Sequence, residues 1–375
     1  MKNFFKIAGC MAIALASFTS FNGNASADTT TIMDLDAGEP YEAMIFHAKH
    51  LWIGKSRKDF NTNYRIDVVD RNDKVLETLK INHAIEHLYP YGENSVIAVG
   101  TAPEPNLRHY TIIKVVGEKF QVKDHAIPAN AWGMDWLGTI NGKEYFSDFG
   151  GNSQDEEGSS NPNIPMQTIF SVDPSGRAVY SKIRLRSPMN GIRIADELYI
   201  VRFYNLGDTR RNVYRLNLKT GQFVDMFDQP RQRLTDIIPL DNNLLAVSEA
   251  GGDRVNLIDR STRELKKEIA IEGAPKSMQK IGQCLVVGSE LSRQVNLVSV
   301  KDLSNPQIVG TLDFSTYGGH FRGLRTVAVD EQTGRVYGRS AYACNPMLQD
   351  CSKSWNSIVV GSKADAELLK AQCLN

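Results

Sequence analysis

Residues 233–272 read RLTDIIPLDNNLLAVSEAGGDRVNLIDRSTRELKKEIAIE, and they predict four short β-strands joined by turns. The strands are expected at Leu234–Leu240, Leu244–Ser248, Arg254–Asp259 and Glu264–Ile271. Asp241-Asn242-Asn243 and Gly251-Gly252 supply the residue types that favour turns. A lone antiparallel meander cannot bury both of its faces, so this stretch predicts a chain in which several such units pack side by side.

The same alternation of strands and turns recurs along the chain at a spacing of roughly 40 to 50 residues. Seven repeats are expected at about 41–81, 84–127, 131–185, 189–227, 233–272, 276–314 and 323–362. Pro90 and Pro239 stand at matching places in two of them, which indicates a true internal repeat. The pattern predicts an all-β, seven-bladed β-propeller of four-stranded antiparallel blades.

The two ends of the chain complete this prediction. The last repeat is one strand short, while the strand-like segment Thr29–Asp36 precedes the first repeat and has no blade of its own. We therefore expect an N-terminal strand to close the ring, which removes the free sheet edge and favours a monomer. Ala364–Cys373 has the composition of a short C-terminal helix.

The first 27 residues predict a secretory signal peptide, leaving residues 28–375 as the propeller domain. Lys2 and Lys6 form a basic start, Ile7–Phe18 is apolar, and Ala25-Ser26-Ala27 is a small-residue cleavage site. Cys10 also fits a lipoprotein signal, but cleavage there would leave almost no apolar region before it. The expected location is periplasmic or secreted.

Composition excludes several classes of function. The 375 residues are 42% hydrophobic and 23% charged, as in globular proteins, and the chain after the predicted cleavage site has a net charge near −2. That balance argues against bulk electrostatic binding of nucleic acid. Beyond the leader no run approaches the ~20 apolar residues of a membrane-spanning helix.

Four cysteines remain after the leader, and an even number in an exported chain predicts disulfides. Three pairings are possible. Cys344 and Cys351 bracket one loop and are the favoured pair, which leaves Cys284 to bond Cys373 and to hold the terminal helix against the sixth blade.

The long connections should share one face of the ring. They follow the second strands, at Lys55–Asn63, Gly100–His109, Phe149–Gln167, Tyr204–Arg211 and Ala341–Trp355. Long loops on a rigid scaffold are the usual carriers of binding, although loop length alone also arises by drift. Aromatic and basic side chains on this face predict a contact surface for a protein partner: Phe203, Tyr204, Arg210 and Arg211.

One residue from each blade is expected at the mouth of the central channel on that face. The set is Glu42, Glu86, Asp135, Asn190, Asp236, Lys276 and Arg322. Its four acids and Asn190 could hold Ca²⁺ or another divalent cation, whereas Lys276 and Arg322 could clamp an anion. A plain water-filled mouth is the competing interpretation, so no cofactor is the first expectation and a divalent cation the alternative.

Motifs for familiar enzymes are missing or misplaced. His83-Ala84-Ile85-Glu86-His87 matches H-x-x-E-H, but it enters a strand rather than a helix. The chain has no G-x-S-x-G, no P-loop and no G-x-G-x-x-G that opens a helix. We therefore predict a non-enzymatic protein that binds a protein or cell-envelope ligand. The alternatives are a metal-dependent hydrolase or lyase, and a subunit of a redox complex whose cofactor lies in a partner.

The blade strands resemble those of bacterial secreted seven-bladed propellers of the YVTN/WD40-like superfamily. The likeness is carried by Val255-Asn256-Leu257-Ile258-Asp259, Val295-Asn296-Leu297-Val298 and Ile66-Asp67-Val68-Val69-Asp70, each followed by a turn and a charged strand. The resemblance implies the fold over residues 29–362. That group includes binding scaffolds and enzymes such as metal-dependent lactonases, so the resemblance implies either kind of function.

Overall fold

The computed structural model describes residues 41–375, apart from 56–63, 102–106, 129–132, 150–167, 185–187, 203–212, 228–230, 232, 242, 315–322 and 342–357. Within the described residues, 27 strands form seven antiparallel sheets, each a simple meander in chain order. Neighbouring sheets pack through their inner strands, and the first strand of the first sheet lies against the first strand of the last. The predicted seven-bladed propeller is confirmed.

Four blades precede the stretch that predicted the fold. The first comprises β1 (Tyr41–His47), β2 (His50–Lys55), β3 (Tyr64–Val69) and β4 (Val75–Ile81). The second comprises β5 (His87–Pro90), β6 (Ser95–Thr101), β7 (Leu107–Val116) and β8 (Lys119–Pro128). The third comprises β9 (Gly133–Ile140), β10 (Lys143–Phe149), β11 (Thr168–Val172) and β12 (Ala178–Arg184). The fourth comprises β13 (Pro188–Ile194), β14 (Glu197–Arg202), β15 (Val213–Asn217) and β16 (Phe223–Asp225).

Three blades follow. The fifth comprises β17 (Leu234–Pro239), β18 (Leu244–Glu249), β19 (Arg254–Asp259) and β20 (Leu265–Ala270). The sixth comprises β21 (Pro275–Ile281), β22 (Cys284–Ser289), β23 (Gln294–Ser299) and β24 (Gln307–Asp313). The seventh comprises β25 (Gly323–Asp330), β26 (Arg335–Ala341) and β27 (Ile358–Val360). Pro90 and Pro239 both end a first strand, which confirms that the repeats correspond.

Burial follows the position of a strand within its blade. Every residue of β22 is buried because neighbouring blades cover both of its faces. In β20, at the outer edge, all residues are exposed except Ile269. A second strand therefore reads as a continuous apolar run, whereas a fourth strand is charged, as the sequence pattern predicted.

The junction between the first and seventh blades joins the two ends of the described ring. Met44, Ile53, Ala328 and Tyr337 belong to one buried apolar cluster that spans both blades. The Arg71 guanidinium contacts the Asp330 carboxylate at 2.8 Å, which adds an ion pair at the same junction. The predicted closing strand, Thr29–Asp36, lies outside the described residues.

The C-terminal helix is present and is held to the sixth blade. Helix α1 (Lys363–Leu369) begins one residue before the predicted start, and a π-helical turn (Lys370–Leu374) follows it. Ser362 caps the helix by accepting a hydrogen bond from the backbone of Asp365, whose side chain accepts one from the Ser362 backbone in return. The predicted Cys284–Cys373 disulfide is formed. Cys344 and Cys351 lie outside the described residues.

Among the residues that the structure describes, no helix is long and apolar enough to cross a membrane.

Candidate functional site at the channel mouth

One face of the propeller carries the long connections. The longer gaps between a second and a third strand are 56–63, 102–106, 150–167, 203–212 and 342–357. Turns between first and second strands, such as residues 48–49 and 141–142, emerge at the opposite end of each blade because successive strands run antiparallel. We call the two ends the looped face and the plain face. Phe203, Tyr204, Arg210 and Arg211 belong to the looped face by sequence and lie outside the described residues.

Several inner strands begin on the looped face with a β-bulge. In β21, Pro275 pairs with Ser289 and Ser277 pairs with Gly288, so Lys276 between them has no partner in the register. A bulge of this kind bends the strand and re-aims the side chain of the extra residue. Glu42 holds the same place in β1, between Tyr41 and Ala43.

The bulge in the seventh blade revises the predicted set of mouth residues. Leu324 pairs with Ser340 and Thr326 pairs with Arg339, so Arg325 occupies the place that Lys276 holds in the sixth blade. Arg322, the residue expected there from sequence, lies outside the described residues. The signal that could have found Arg325 is the likeness of Leu324-Arg325-Thr326 to Pro275-Lys276-Ser277, in which a basic residue precedes a hydroxyl residue.

Asp236 of the fifth blade links three neighbouring blades. Its Oδ1 accepts hydrogen bonds from Asn190 Nδ2 of the fourth blade and from the Ile237 backbone at 2.8 Å, and its Oδ2 accepts one from the Met278 backbone of the sixth at 2.7 Å. Burial raises the pKa of Asp236 to about 7, despite the three N–H donors that favour the ionised form. Both carboxylate oxygens are therefore used in holding blades together.

Asp135 has a comparable role between the second and third blades. Its Oδ1 lies 3.1 Å from His87 Nε2 and accepts a hydrogen bond from the Tyr89 hydroxyl at 2.9 Å. Burial, followed by the charge of Asp135, raises the pKa of Tyr89 well above its usual value. The Asp135 side chain is 3% exposed and that of His87 is 38% exposed. The imidazole is thus the part of this group that solvent and a ligand can reach.

Lys276 is the centre of a basic group on the sixth and seventh blades. Its Nζ lies 3.3 Å from Glu290 Oε1, and its side chain is 10% exposed. Burial, followed by the positive charge of Arg325, lowers the pKa of Lys276 to about 8; Glu290 raises it and Arg339 lowers it further. Arg339 is buried, whereas Arg325 is partly exposed. We call Lys276, Arg325 and Arg339 the basic cluster.

The remaining expected mouth residues differ in what the structure describes. Glu86 is partly buried and its backbone N–H bonds Val99 just before β5, which places it at the entrance of the second blade. For Glu42, the structure describes the backbone position in the bulge of β1 and not the side chain. His83 is buried and bonds Thr111 at 2.9 Å, while His87 faces Asp135. The two histidines of the H-x-x-E-H match therefore have separate partners, as expected for a segment that is not helical.

The expected metal ligands can be compared only where their side chains are described. Within the described ranges, no group of three or more His, Cys, Asp or Glu side chains could hold one metal ion. Asp135 and Asp236, two of the predicted ligands, bond neighbouring blades. Hard cations such as Ca²⁺ require several oxygen ligands around one point.

Comparison with known proteins gives the fold and no family. No family model and no curated protein sequence matches the chain. A structure titled "Crystal structure of RRP9 WD40 repeats" matches with a TM-score of 0.64 at 7% identity, covering 90% of this chain and 98% of that one. "Structure of U3-55K" matches at 0.62 and 6% identity, covering 89% and 98%. "Streptogramin B lyase structure" matches at 0.60 and 12% identity, covering 89% and 96%. The chain is similar in fold to WD40-repeat propellers and to a lyase propeller.

Proposed function

We propose that this chain is a non-enzymatic propeller that binds a protein or cell-envelope ligand on its looped face. The observation that carries the proposal is the asymmetry of the connections: the longer ones emerge on one face, and those on the plain face are short. Loops of variable length on a rigid β-scaffold are the usual means of building a binding surface. One of the similar structures is titled as WD40 repeats, a fold that often serves as a scaffold, which supports a scaffold role by analogy.

The described part of the looped face carries an exposed apolar side chain close in sequence to a charged pair. Leu291, in the short connection of the sixth blade, is 67% exposed, the largest exposure among the described large hydrophobic residues. It follows Glu290, whose carboxylate contacts Lys276. A single exposed apolar side chain is normal on a protein surface, so Leu291 is a position to include in a binding test and does not by itself define a binding surface.

A pull-down from the native cell envelope tests the proposal. The test variant carries Phe203→Ala, Tyr204→Ala and Arg211→Ala together. We expect it to lose the partner that the wild-type chain captures, while its own unfolding temperature stays that of the wild type. The matched control replaces Arg177, Lys219 and Lys301 by Ala, because these residues occupy turns on the plain face. Equal capture by both triple variants would count against the looped face.

The proposal includes export of the chain to the periplasm or beyond. Its support is the predicted signal peptide together with the Cys284–Cys373 disulfide, since disulfides persist in oxidising compartments. Cell fractionation and the intact mass of the exported protein test it. We expect a mature chain that begins at Asp28 and whose mass falls by two hydrogens for each disulfide formed.

A metal-dependent hydrolase or lyase is the second candidate. His87, held by the buried Asp135 carboxylate and partly open to the channel, has the arrangement of a general base, and one similar structure is a lyase. Elemental analysis of the purified chain after dialysis against Ca²⁺ or Mg²⁺ tests the metal. Stoichiometric retention would favour this candidate, and none would remove it.

A further inference from the structure

The sixth and seventh blades bring their basic side chains together on the looped face. The Val327 backbone donates to Ser277 Oγ at 3.3 Å, and the Leu324 backbone donates to the Ser292 carbonyl at 3.2 Å. A Cβ atom at Gly288 would collide with Val327, so the glycine allows the inner strands to approach closely. These contacts flank Arg325 on the seventh blade and include Ser277, the residue after Lys276, on the sixth.

Each member of the basic cluster comes from a different strand. Lys276 is the bulged residue of β21, and Arg325 is the bulged residue of β25. Arg339 lies on β26 and pairs with Thr326 of β25. The strands are part of the blades, so strand pairing sets the backbone positions of the three cations. A site built on strands is preorganised more accurately than one built on loops.

Burial makes an anion favourable at this place. The side chain of Lys276 is 10% exposed and Arg339 is 5% exposed, so both cations have lost most of their contact with water. Glu290 bonds Lys276, and Arg325 forms no hydrogen bond or ion pair with the described part of the chain. The partly exposed guanidinium of Arg325 is therefore available to a ligand from solution.

We propose that Lys276, Arg325 and Arg339 form a binding site for an oxyanion, namely a carboxylate or phosphate group. A guanidinium presents parallel N–H donors that match two oxygens of such a group, and an ammonium adds a compact positive charge. The inference deepens the proposed function and rests on it in one respect, because the oxyanion is a group of the ligand that the looped face binds.

The other side of the mouth explains why the anion would bind here. Asp135 and Asp236 lie on the third and fifth blades, where their buried carboxyl groups accept hydrogen bonds and offer no positive charge to an anion. The basic cluster lies on the sixth and seventh blades. A ligand that spans the mouth would therefore be oriented with its oxyanion toward the latter pair of blades.

Calorimetric titration of the full mature chain with inorganic phosphate, and separately with acetate, tests the site at pH 7. We expect saturable binding of one ion per chain for at least one of the two probes. A preference for phosphate would identify a phosphate-bearing ligand, and a preference for acetate a carboxylate-bearing one. Absence of saturable binding by both would overturn the proposal.

Arg325→Gln is the principal variant. The Arg325 side chain is partly exposed, and replacing it leaves the Lys276–Glu290 pair in place. We expect roughly tenfold weaker binding than in the wild type. Arg177→Gln, a single replacement on the plain face, should bind as the wild type does. Binding within twofold of the wild type in Arg325→Gln would overturn the proposal.

Lys276→Gln provides a second, independent variant, and its unfolding temperature shows whether the blade remains intact. We expect a loss of affinity similar to that of Arg325→Gln, with Lys301→Gln in the same blade as its control. The titrations contain no protein partner. Their failure therefore bears on the anion site, whereas failure of the pull-down bears on the proposed function.

Discussion

The two halves of the channel mouth use charged residues differently. On the third and fifth blades, the Asp135 and Asp236 carboxylates accept hydrogen bonds from neighbouring blades, so their charges hold the ring together. On the sixth and seventh blades, Lys276, Arg325 and Arg339 lie close together, and Arg325 is partly exposed. The difference teaches that a ring of polar residues in a propeller need not be one site, because half of it can be structural.

The largest effect is expected from Asp236→Ala. The replacement leaves the N–H groups of Asn190, Ile237 and Met278 without their acceptor inside the ring, so we expect the free energy of unfolding to fall by about 3 kcal/mol. Chemical denaturation measures it. Asp241→Ala, at an exposed turn of the same blade, should cost less than about 1 kcal/mol. Equal losses would show that Asp236 has no special structural role.

The raised pKa of Asp236 makes the free energy of unfolding depend on pH. The pKa of about 7 in the folded protein exceeds the ordinary value of 3.8, so the folded state binds more protons between these values, and stability falls as pH rises through that window. Asp236→Asn does not titrate. Between pH 5 and pH 7.5, we expect the free energy of unfolding of the wild type to fall by about 2 kcal/mol relative to that of this variant. A constant difference would contradict the raised pKa.

Tyr89→Phe should lower the free energy of unfolding by less than Asp236→Ala does. It removes the hydroxyl that donates to Asp135 while His87 remains within 3.1 Å of that carboxylate. We expect a loss of about 1 kcal/mol in the free energy of unfolding, measured by denaturation with urea. Anion binding at the basic cluster should be unchanged, since the two groups lie on different blades.

Anion binding at the basic cluster should weaken at alkaline pH as Lys276 loses its charge. Because the lowered pKa of about 8 is that of the free protein, its positive charge is present below pH 8 and is lost above it. Sulfate does not titrate in this range, so its affinity should fall several-fold between pH 7 and pH 9. Calorimetry of Lys276→Gln should show a flat profile over the same range. An equally steep profile in that variant would assign the titration to another group.

Glu290→Gln should give the smallest change and the opposite sign. Removing the carboxylate that pairs with Lys276 at 3.3 Å lessens the negative charge beside the basic cluster. We expect phosphate to bind roughly threefold more tightly, with little effect on stability, since the pair is only partly buried. Weaker binding would mean that Glu290 positions Lys276 rather than competes with the anion.

The blades were predictable because their pattern is local. In residues 233–272, the third strand matches its prediction at both ends, and the other three differ by one residue at one or both ends. Alternation of apolar and polar side chains, ended by turn residues, decides which face of a strand is buried. In the second blade, β7 and β8 pair over their whole lengths, including end residues whose apolar pattern is weak.

The mouth was predictable only in part. Asp135, Asn190, Asp236 and Lys276 were expected near it and begin inner strands. The hydrogen bonds that join Asp135 and Asp236 to neighbouring blades connect residues 42 to 46 positions apart in the chain. Arg325 was missed because the sequence prediction placed the mouth residue three positions earlier, at Arg322, whereas the strand pairing places the bulge between Leu324 and Thr326. Arg339, from a second strand, was not among the expected residues.

The number of blades, their order and the face that bears the long connections could be predicted from the sequence alone. These features follow from short-range alternation and turn composition. The count of cysteines left three pairings possible, and the Cys284–Cys373 bond of the favoured pairing is present in the structure. Only the tertiary structure decided that Asp236 bonds two neighbouring blades and that Lys276, Arg325 and Arg339 come together. The reason is physical: contacts between blades depend on bulge register and on the close approach of inner strands, and neither leaves a periodic signal in the chain.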